Sequence, residues 1–335
     1  MASKRTVRKP IALRRGDAIG LVAPASPVDR RRLDEGIREL EAIGYRVLCH
    51  PQTLARQEFY AGPHADRVQA LLAQLEDPGI RAVFCARGGY GSNYVVEQLS
   101  QRSNLKRLQR LAPKIVMGYS DITTLLTFLS QTLGWVTFQG PMLTKDLASG
   151  ESGYERTMME KMLADVVRGY HLESDAVVLR PGTATGWLAG GCLSLLVATL
   201  GTPQEIETAG SILLLEDVDE KPYRIDRMLF QLRRAGKFKD VKGVIFGEMP
   251  GCTLGPPPHE VLQNVILQAF EGMNIPIAFG MRFGHNSGHC LTLPLGIRAK
   301  LEADATVKLT TLEPAVRPAE KKSKTAHKSL KKKPK

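Results

Sequence analysis

Through residues 18–138, short apolar runs alternate with amphipathic helical stretches, and this alternation limits the chain more than any other feature. Ala18–Ala23 reads as a buried strand. A helix follows from Asp29 to Ile43, with Leu33, Ile37 and Leu40 on one face and Gly44 as its stop. Tyr45–His50 is a second strand, and Ala65–Leu75 a helix with Val68, Leu71, Leu72 and Leu75 in register. Ala82–Ala86 and Ile115–Tyr119 are the third and fourth strands, before a helix from Asp121 to Gln131 and a strand near Val136–Phe138. Strands this continuously apolar need cover on both faces, which a parallel sheet between helix layers provides, so the fold class is α/β.

The 335 residues suffice for two domains. The expected division is a basic segment at 1–15, a first domain at 16–150, a linker at 151–185 with a helix near Glu155–Val167, a second domain at 186–316 and a tail at 317–335. In the second domain, residues 187–201 read as a glycine-punctuated helix and Ile212–Glu216 as an apolar strand ending in an acid. Pro222 opens a helix with Ile225, Met228, Leu229 and Leu232 inward. Lys242–Phe246 is a strand, a Pro-rich loop at 255–259 precedes a helix near Glu260–Phe270, and short strands follow from 277.

The formal charge of +12 belongs to the ends. Residues 1–15 carry six basic groups and no acid, and residues 317–335 carry nine basic groups and one acid, so the body is slightly negative. A nucleic-acid surface on the folded part is therefore not expected; contact with nucleic acid or another anionic surface is left to the lysine-rich tail, which otherwise reads as a solvated, disordered segment. The five cysteines are odd in number, widely spaced and without a CxxC, as in a protein with reduced thiols and no zinc site. The uncharged runs 122–144 and 181–204 contain glycine, proline and several polar residues. They read as buried soluble segments, so no membrane partner is expected.

Chemistry gathers where strands end. Arg87-Gly88-Gly89-Tyr90-Gly91 follows the third strand without the GxGxxG spacing of a dinucleotide site. It is either a tight turn or a place where backbone N–H groups face a ligand at the carboxyl edge of the sheet. Gly118-Tyr119-Ser120-Asp121 stands at the next strand-to-helix junction. Ser120 is there either a helix N-cap or a nucleophile raised above the sheet. A nucleophilic serine needs a base, and the histidines of the glycine-flanked loop Gly284-His285-Asn286-Ser287-Gly288-His289 are candidates, with His50 also open. The His285/His289 spacing resembles a metal motif, but the glycines disfavour a helix and no glutamate intervenes, so no metal is assigned. Glu216 and Asp217 close a buried strand, and alternation puts them on opposite faces, so one of them at most can orient the base; the acids there can also serve the next helix.

Together GYSDIT, ARGGYG, LLLEDVDEKPYRIDRML and FGHNSGHCLTLPLG, with GLVAPAS, FYAGPHADR and GWLAGGCLSLL, resemble the LD-carboxypeptidase family in the same order across about residues 10–315. This is the serine-peptidase family that also contains microcin C immunity proteins. The resemblance implies a Rossmann-like parallel-sheet N-terminal domain, a smaller swivelling β/α C-terminal domain and a Ser–Glu–His triad. By motif, Ser120 is the nucleophile, Glu216 the carboxylate and His285 the base, with backbone N–H groups of Gly89 and Asp121 as the oxyanion hole. It further implies a cytoplasmic homodimer without cofactor that releases terminal D-alanine from murein tetrapeptides. The alternatives are an immunity-type amidase acting on a nucleotide-like conjugate and a non-catalytic ligand-binding protein. Arg87 and Arg224 are candidates for the substrate carboxylate, though either can instead sit in a structural ion pair. Two features depart from the family pattern: Gln139 stands where many relatives carry histidine, and the lysine tail has no counterpart.

Overall fold

The computed structural model describes residues 6–166, 169–254 and 259–319. The first five residues, nearly all of the Pro-rich loop and most of the lysine tail therefore lie outside the described residues. The elements in chain order are β1 (Ala18–Val22), α1 (Arg30–Ile43), β2 (Arg46–Cys49), α2 (His64–Glu76), β3 (Ile80–Cys85), α3 (Ser92–Ser100), α4 (Arg102–Arg110), β4 (Ile115–Gly118), α5 (Thr123–Leu133) and β5 (Thr137–Gln139). Then come α6 (Arg156–Ala164), β6 (His171–Ser174), β7 (Val177–Arg180), β8 (Gly182–Cys192), α7 (Leu193–Ala198), β9 (Ser211–Glu216), α8 (Pro222–Arg234), β10 (Gly243–Gly247), α9 (Glu260–Ala269), β11 (Ile277–Met281), β12 (Leu293–Leu295), β13 (Arg298–Ala303) and β14 (Val307–Thr311).

The first sheet has the order β12-β5-β4-β3-β1-β2. Its first five strands are parallel, and β12, arriving from the far end of the chain, pairs antiparallel with β5. Strand order reverses between β1 and β3, the kind of switch point where an open parallel sheet leaves a crevice at its carboxyl edge. Helix α1 begins as its residues require: Asp29 accepts the Arg32 N–H, and Gly44 closes the other end at φ +108°.

The second sheet has eight strands in the order β6-β14-β13-β8-β9-β10-β11-β7, with a parallel centre of β8 to β11 and antiparallel flanks. Its side chains alternate between two cores. Ile212 and Leu214 of β9 join the core shared with the first sheet, while Leu213 and Leu215 pack with Leu193, Ile225, Leu229 and Ile266 of the helices behind.

The glycine-punctuated helix expected over 187–201 is mostly strand. β8 runs to Cys192, and only Leu193–Ala198 is helical. Gly190 and Gly191 adopt φ of +136° and +149°, and a Cβ on Gly190 would lie 1.9 Å from the Leu214 carbonyl oxygen. The glycines thus serve close backbone approach between strands rather than helix packing. The segment expected as a linker carries α6 as anticipated, but it also supplies β6 and β7, which form the two edges of the second sheet. Helices α3 and α4 were not anticipated. Among the described residues, no helix is long and apolar enough to cross a membrane.

Candidate active site

The carboxyl edges of the two parallel runs meet. β4 ends at Gly118, and Ser120 follows at φ +61°, a backbone region that non-glycine residues seldom occupy. Ser120 opens a 3-10 turn through Ile122 that leads into α5. Its side chain caps neither the turn nor α5, so the N-cap alternative is set aside. Ser120 itself is half-buried.

Two neighbours hold this turn. Asp121 is buried, its Oδ2 accepts the Ser92 N–H at 2.7 Å, and its main-chain carbonyl accepts from the Ser92 hydroxyl. Burial raises its pKa, with the Ser92 and Gly91 donors opposing the shift. The carboxylate thereby ties the start of α3, and so the end of ARGGYG, to the serine turn. Gly88 presses on the turn from the same loop. A Cβ there would lie 2.9 Å from Ser120 Cβ, 3.2 Å from its Oγ and 3.3 Å from the Asp121 nitrogen. Gly89, the next residue, is at φ +95°, where a Cβ would meet the Ser26 hydroxyl at 2.4 Å.

The second domain brings the acid and the imidazole. Glu216 ends β9, fully buried, and its Oε2 accepts both the His285 main-chain N–H at 2.8 Å and a bond from His285 Nδ1 at 2.7 Å. Burial pulls the imidazole pKa down, but the charge and hydrogen bond of Glu216 outweigh it, and His285 ends above the ordinary value. Space for this pair comes from glycine. A Cβ on Gly284 would lie 2.4 Å from the Glu216 carboxyl carbon, and one on Gly247 would lie 2.8 Å from its Cβ. Asp217 points the other way, as strand parity requires. It accepts the Ser194 N–H at 2.8 Å and so caps α7, the helix before it rather than the one after.

The domains are clasped beside this pair. Cys192, the β8 partner of Glu216, donates its N–H to Thr123 Oγ1 at 3.0 Å. The Tyr119 ring stands edge-on to His285, with centroids 5.2 Å apart. Lys145 places its ammonium 5.8 Å from the Tyr119 ring centroid and donates to the Asn286 carbonyl at 3.4 Å, and it opposes the upward shift of His285. Among the described residues Glu216 and His285 are hydrogen-bonded, while Ser120 and His285 share no hydrogen bond. Gly88 belongs to the glycine run singled out from the sequence, whereas Ser26, Ser92, Tyr119 and Lys145 escaped the sequence reading, because their roles arise only from contacts between distant segments.

The remaining candidates fall outside the centre. His50 caps a short turn through Nδ1, and His289 pairs with Glu155 at 3.1 Å. Arg224 pairs with Glu220 at 2.8 Å along α8. Gln139, at the end of β5 beside Gly118, is buried with no hydrogen-bond partner on either side-chain atom. Among the described residues no group of His, Cys, Asp and Glu could hold a metal.

The chain is similar to known proteins over nearly its whole length. Residues 19–140 match the LD-carboxypeptidase N-terminal domain, and residues 185–301 match the LD-carboxypeptidase C-terminal domain. A probable murein peptide carboxypeptidase of Bacillus subtilis is 37% identical over 88% of this chain and 91% of its own length. A murein tetrapeptide carboxypeptidase of Pseudomonas aeruginosa is 28% identical over 85% and 93% respectively. The microcin C7 self immunity protein MccF, solved in complex with aspartyl sulfamoyl adenosine, shares the two-domain fold at a TM-score of 0.81, with 23% identity over 92% of this chain and 99% of its own.

Proposed function

This chain belongs to the LD-carboxypeptidase family, and on that footing we propose that it is a serine-type peptidase that removes terminal D-alanine from murein tetrapeptides through an acyl-enzyme on Ser120. The observation that carries the reading is the buried Glu216–His285 pair, 2.7 Å apart, docked against a serine held in a left-handed turn.

His285 takes the Ser120 proton as the hydroxyl attacks the carbonyl carbon of the bond between the diamino acid and D-alanine. Glu216 bonds Nδ1, fixes the tautomer that leaves Nε2 free as base, and balances the imidazolium that forms. The main-chain N–H of Asp121, at the head of the turn, and that of Gly89 receive the oxyanion, in the space that the missing Gly88 side chain leaves open beside Ser120 Oγ. The imidazolium then protonates the leaving amine, and water repeats the sequence to release the shortened peptide. Closure of the Ser120–His285 contact falls to the substrate-bound state, where catalytic hydrogen bonds commonly tighten. The five free thiols suit a reducing compartment, and we place the activity in the cytoplasm.

A second reading, an amidase of the immunity type acting on an aminoacyl-nucleotide conjugate, is favoured by one feature. Phe59 and Tyr90 stand exposed on the wall of a cavity at the carboxyl end of β1 and β3 and offer faces on which a base could stack. The test is incubation with murein tri-, tetra- and pentapeptides and with aspartyl sulfamoyl adenosine, with products followed by mass. The expected outcome is D-alanine from the tetrapeptide alone, and none with Ser120→Ala. Wild-type turnover by Ser120→Ala would remove the assignment.

A further inference from the structure

At the switch point between β1 and β3 lies a cavity of about 450 Å³, lined by Ser26 and Pro27 after β1, by Arg56, Glu58 and Phe59, and by Arg87 and Tyr90 after β3. Its size falls within the range of small-molecule sites, roughly 300–1,000 Å³. Its walls are joined by one hydroxyl. Ser26 Oγ donates to the Phe59 carbonyl at 2.9 Å and accepts the Tyr90 N–H at 2.9 Å, while the Ser26 N–H donates to the Gly88 carbonyl at 3.1 Å. Three separate loops are thereby fixed around the opening.

Two guanidinium groups face this space, and neither has an ion-pair partner among the described residues. Arg87 is oriented: its Nη1 donates to the Pro27 carbonyl at 2.7 Å, which anchors one corner and leaves the Nε/Nη2 edge as a two-pronged donor. Glu58 lines the same cavity without pairing to either arginine. Two cations and one anion leave a single net positive charge, a match for one carboxylate.

Position relative to the serine sets which carboxylate this is. Arg87 directly precedes Gly88, the position at which a built Cβ would lie 2.9 Å from Ser120 Cβ. On a carboxypeptidase substrate, the free carboxylate is likewise one residue beyond the scissile carbonyl, about 3.3–3.6 Å of extended chain. We propose that this cavity is the subsite for the free terminal carboxylate of the substrate, with Arg87 as its bidentate donor and Arg56 as the second cation. The subsite rests on the peptidase reading above and accounts for an exopeptidase restriction that the triad cannot impose. The carboxylate must be present for the peptide to seat with its last bond over Ser120.

The experiment compares a tetrapeptide ending in free D-alanine with the same peptide ending in D-alaninamide. It uses the wild-type chain, Arg87→Met, Arg87→Lys and Arg56→Met, with kcat and KM measured for both peptides. Direct binding of both peptides is measured by calorimetry on Ser120→Ala, with and without Arg87→Met. Wild type should favour the acid, and Arg87→Met should lower kcat/KM for the acid about 10–100-fold, mainly through KM, while leaving the amide within about threefold. Arg87→Lys should restore part of the loss, and Arg56→Met should lower the acid-to-amide ratio less. In the binding arm, Arg87→Met should erase the preference for the acid. Equal losses for acid and amide, a preference that survives Arg87→Met, or no binding of either peptide overturns the subsite. Arg87-dependent binding without hydrolysis by wild type keeps the subsite and overturns the peptidase reading; hydrolysis with an unchanged ratio does the reverse.

Discussion

Replacing Glu216 by glutamine tests the acid–base pair while barely changing its shape. The wild-type Oε2 accepts two bonds from His285, one from the main chain at 2.8 Å and one at Nδ1 at 2.7 Å, with no exposure to solvent. A glutamine oxygen can keep both, but the pair loses its charge, and a charge-assisted bond has roughly twice the strength of its neutral counterpart. The site around the carboxyl is tight, with the Gly284 position 2.4 Å from the carboxyl carbon once a Cβ is built, so little relaxation is available. The change matters most when His285 carries the Ser120 proton. The analogous carboxylate-to-amide change in a serine triad lowers kcat by about 10⁴, and the same order, about 10³–10⁴, is expected here. The pH profile gives a second reading. His285 sits above its ordinary value because Glu216 outweighs burial. A base must be unprotonated to act, so kcat/KM for the wild type rises with pH through that raised value. With Glu216 neutral, burial and Lys145 both push the imidazole down, and the acidic limb moves to lower pH. The linked stability has a definite sign: the raised pKa adds stability that is fully present below the unfolded value of about 6.5 and is lost as pH rises through the folded value. Glu216→Gln therefore flattens the dependence of unfolding free energy on pH across that window. The assays are tetrapeptide kinetics from about pH 5 to 9 and denaturant unfolding over the same range. Turnover within tenfold of wild type, or an acidic limb that stays in place, refutes the reasoning.

Gly88→Ala should place a methyl group 3.2 Å from Ser120 Oγ and 3.3 Å from the Asp121 nitrogen and crowd the oxyanion. A loss of about 10²–10³ in kcat with little change in KM is expected, and unaltered kcat would move the oxyanion elsewhere. Lys145→Met removes a cation that lowers the His285 pKa, so the acidic limb should shift to higher pH, opposite in direction to Glu216→Gln. Asp217→Ala removes the acceptor of the Ser194 N–H at the start of α7 and of the Val218 N–H that follows β9. It should cost about 0.5–2 kcal/mol in denaturant unfolding, and because Asp217 also helps raise the His285 pKa, the acidic limb should move to lower pH, by less than in Glu216→Gln. A shift as large as that of Glu216→Gln would instead assign Asp217 to the acid–base pair.

The parallel sheet of the first half was legible because strands buried on both faces leave short continuous apolar runs, while amphipathic helices leave apolar residues at a spacing of 3.6, and both survive in the residue order. Strand ends and a glycine-flanked loop marked Ser120, Glu216 and His285 as candidates, and the resemblance of their motifs led to the expectation that Glu216 meets His285, a contact the structure contains. Strand parity even separated Glu216 from Asp217 correctly. The strand character of 187–192 was hidden because Gly186, Gly190 and Gly191 interrupt an apolar run in a way that fits a loosely packed helix as well as a strand pressed against its neighbour. The direction of the Asp217 cap, the lock of Asp121 on Ser92, the contact of Gly88 with Ser120 and the Ser26 hub had no local signal at all. Each depends on segments about 23 to 64 residues apart meeting at a fixed distance. The order of residues carries periodicity and backbone restriction, which are local; which distant groups share a hydrogen bond is set only when burial brings two sheet edges together. Between Arg87 and Arg224 the residue order offered no distinction, and the tertiary structure draws one: Arg224 pairs with Glu220, while Arg87 lines the cavity where strand order reverses between β1 and β3.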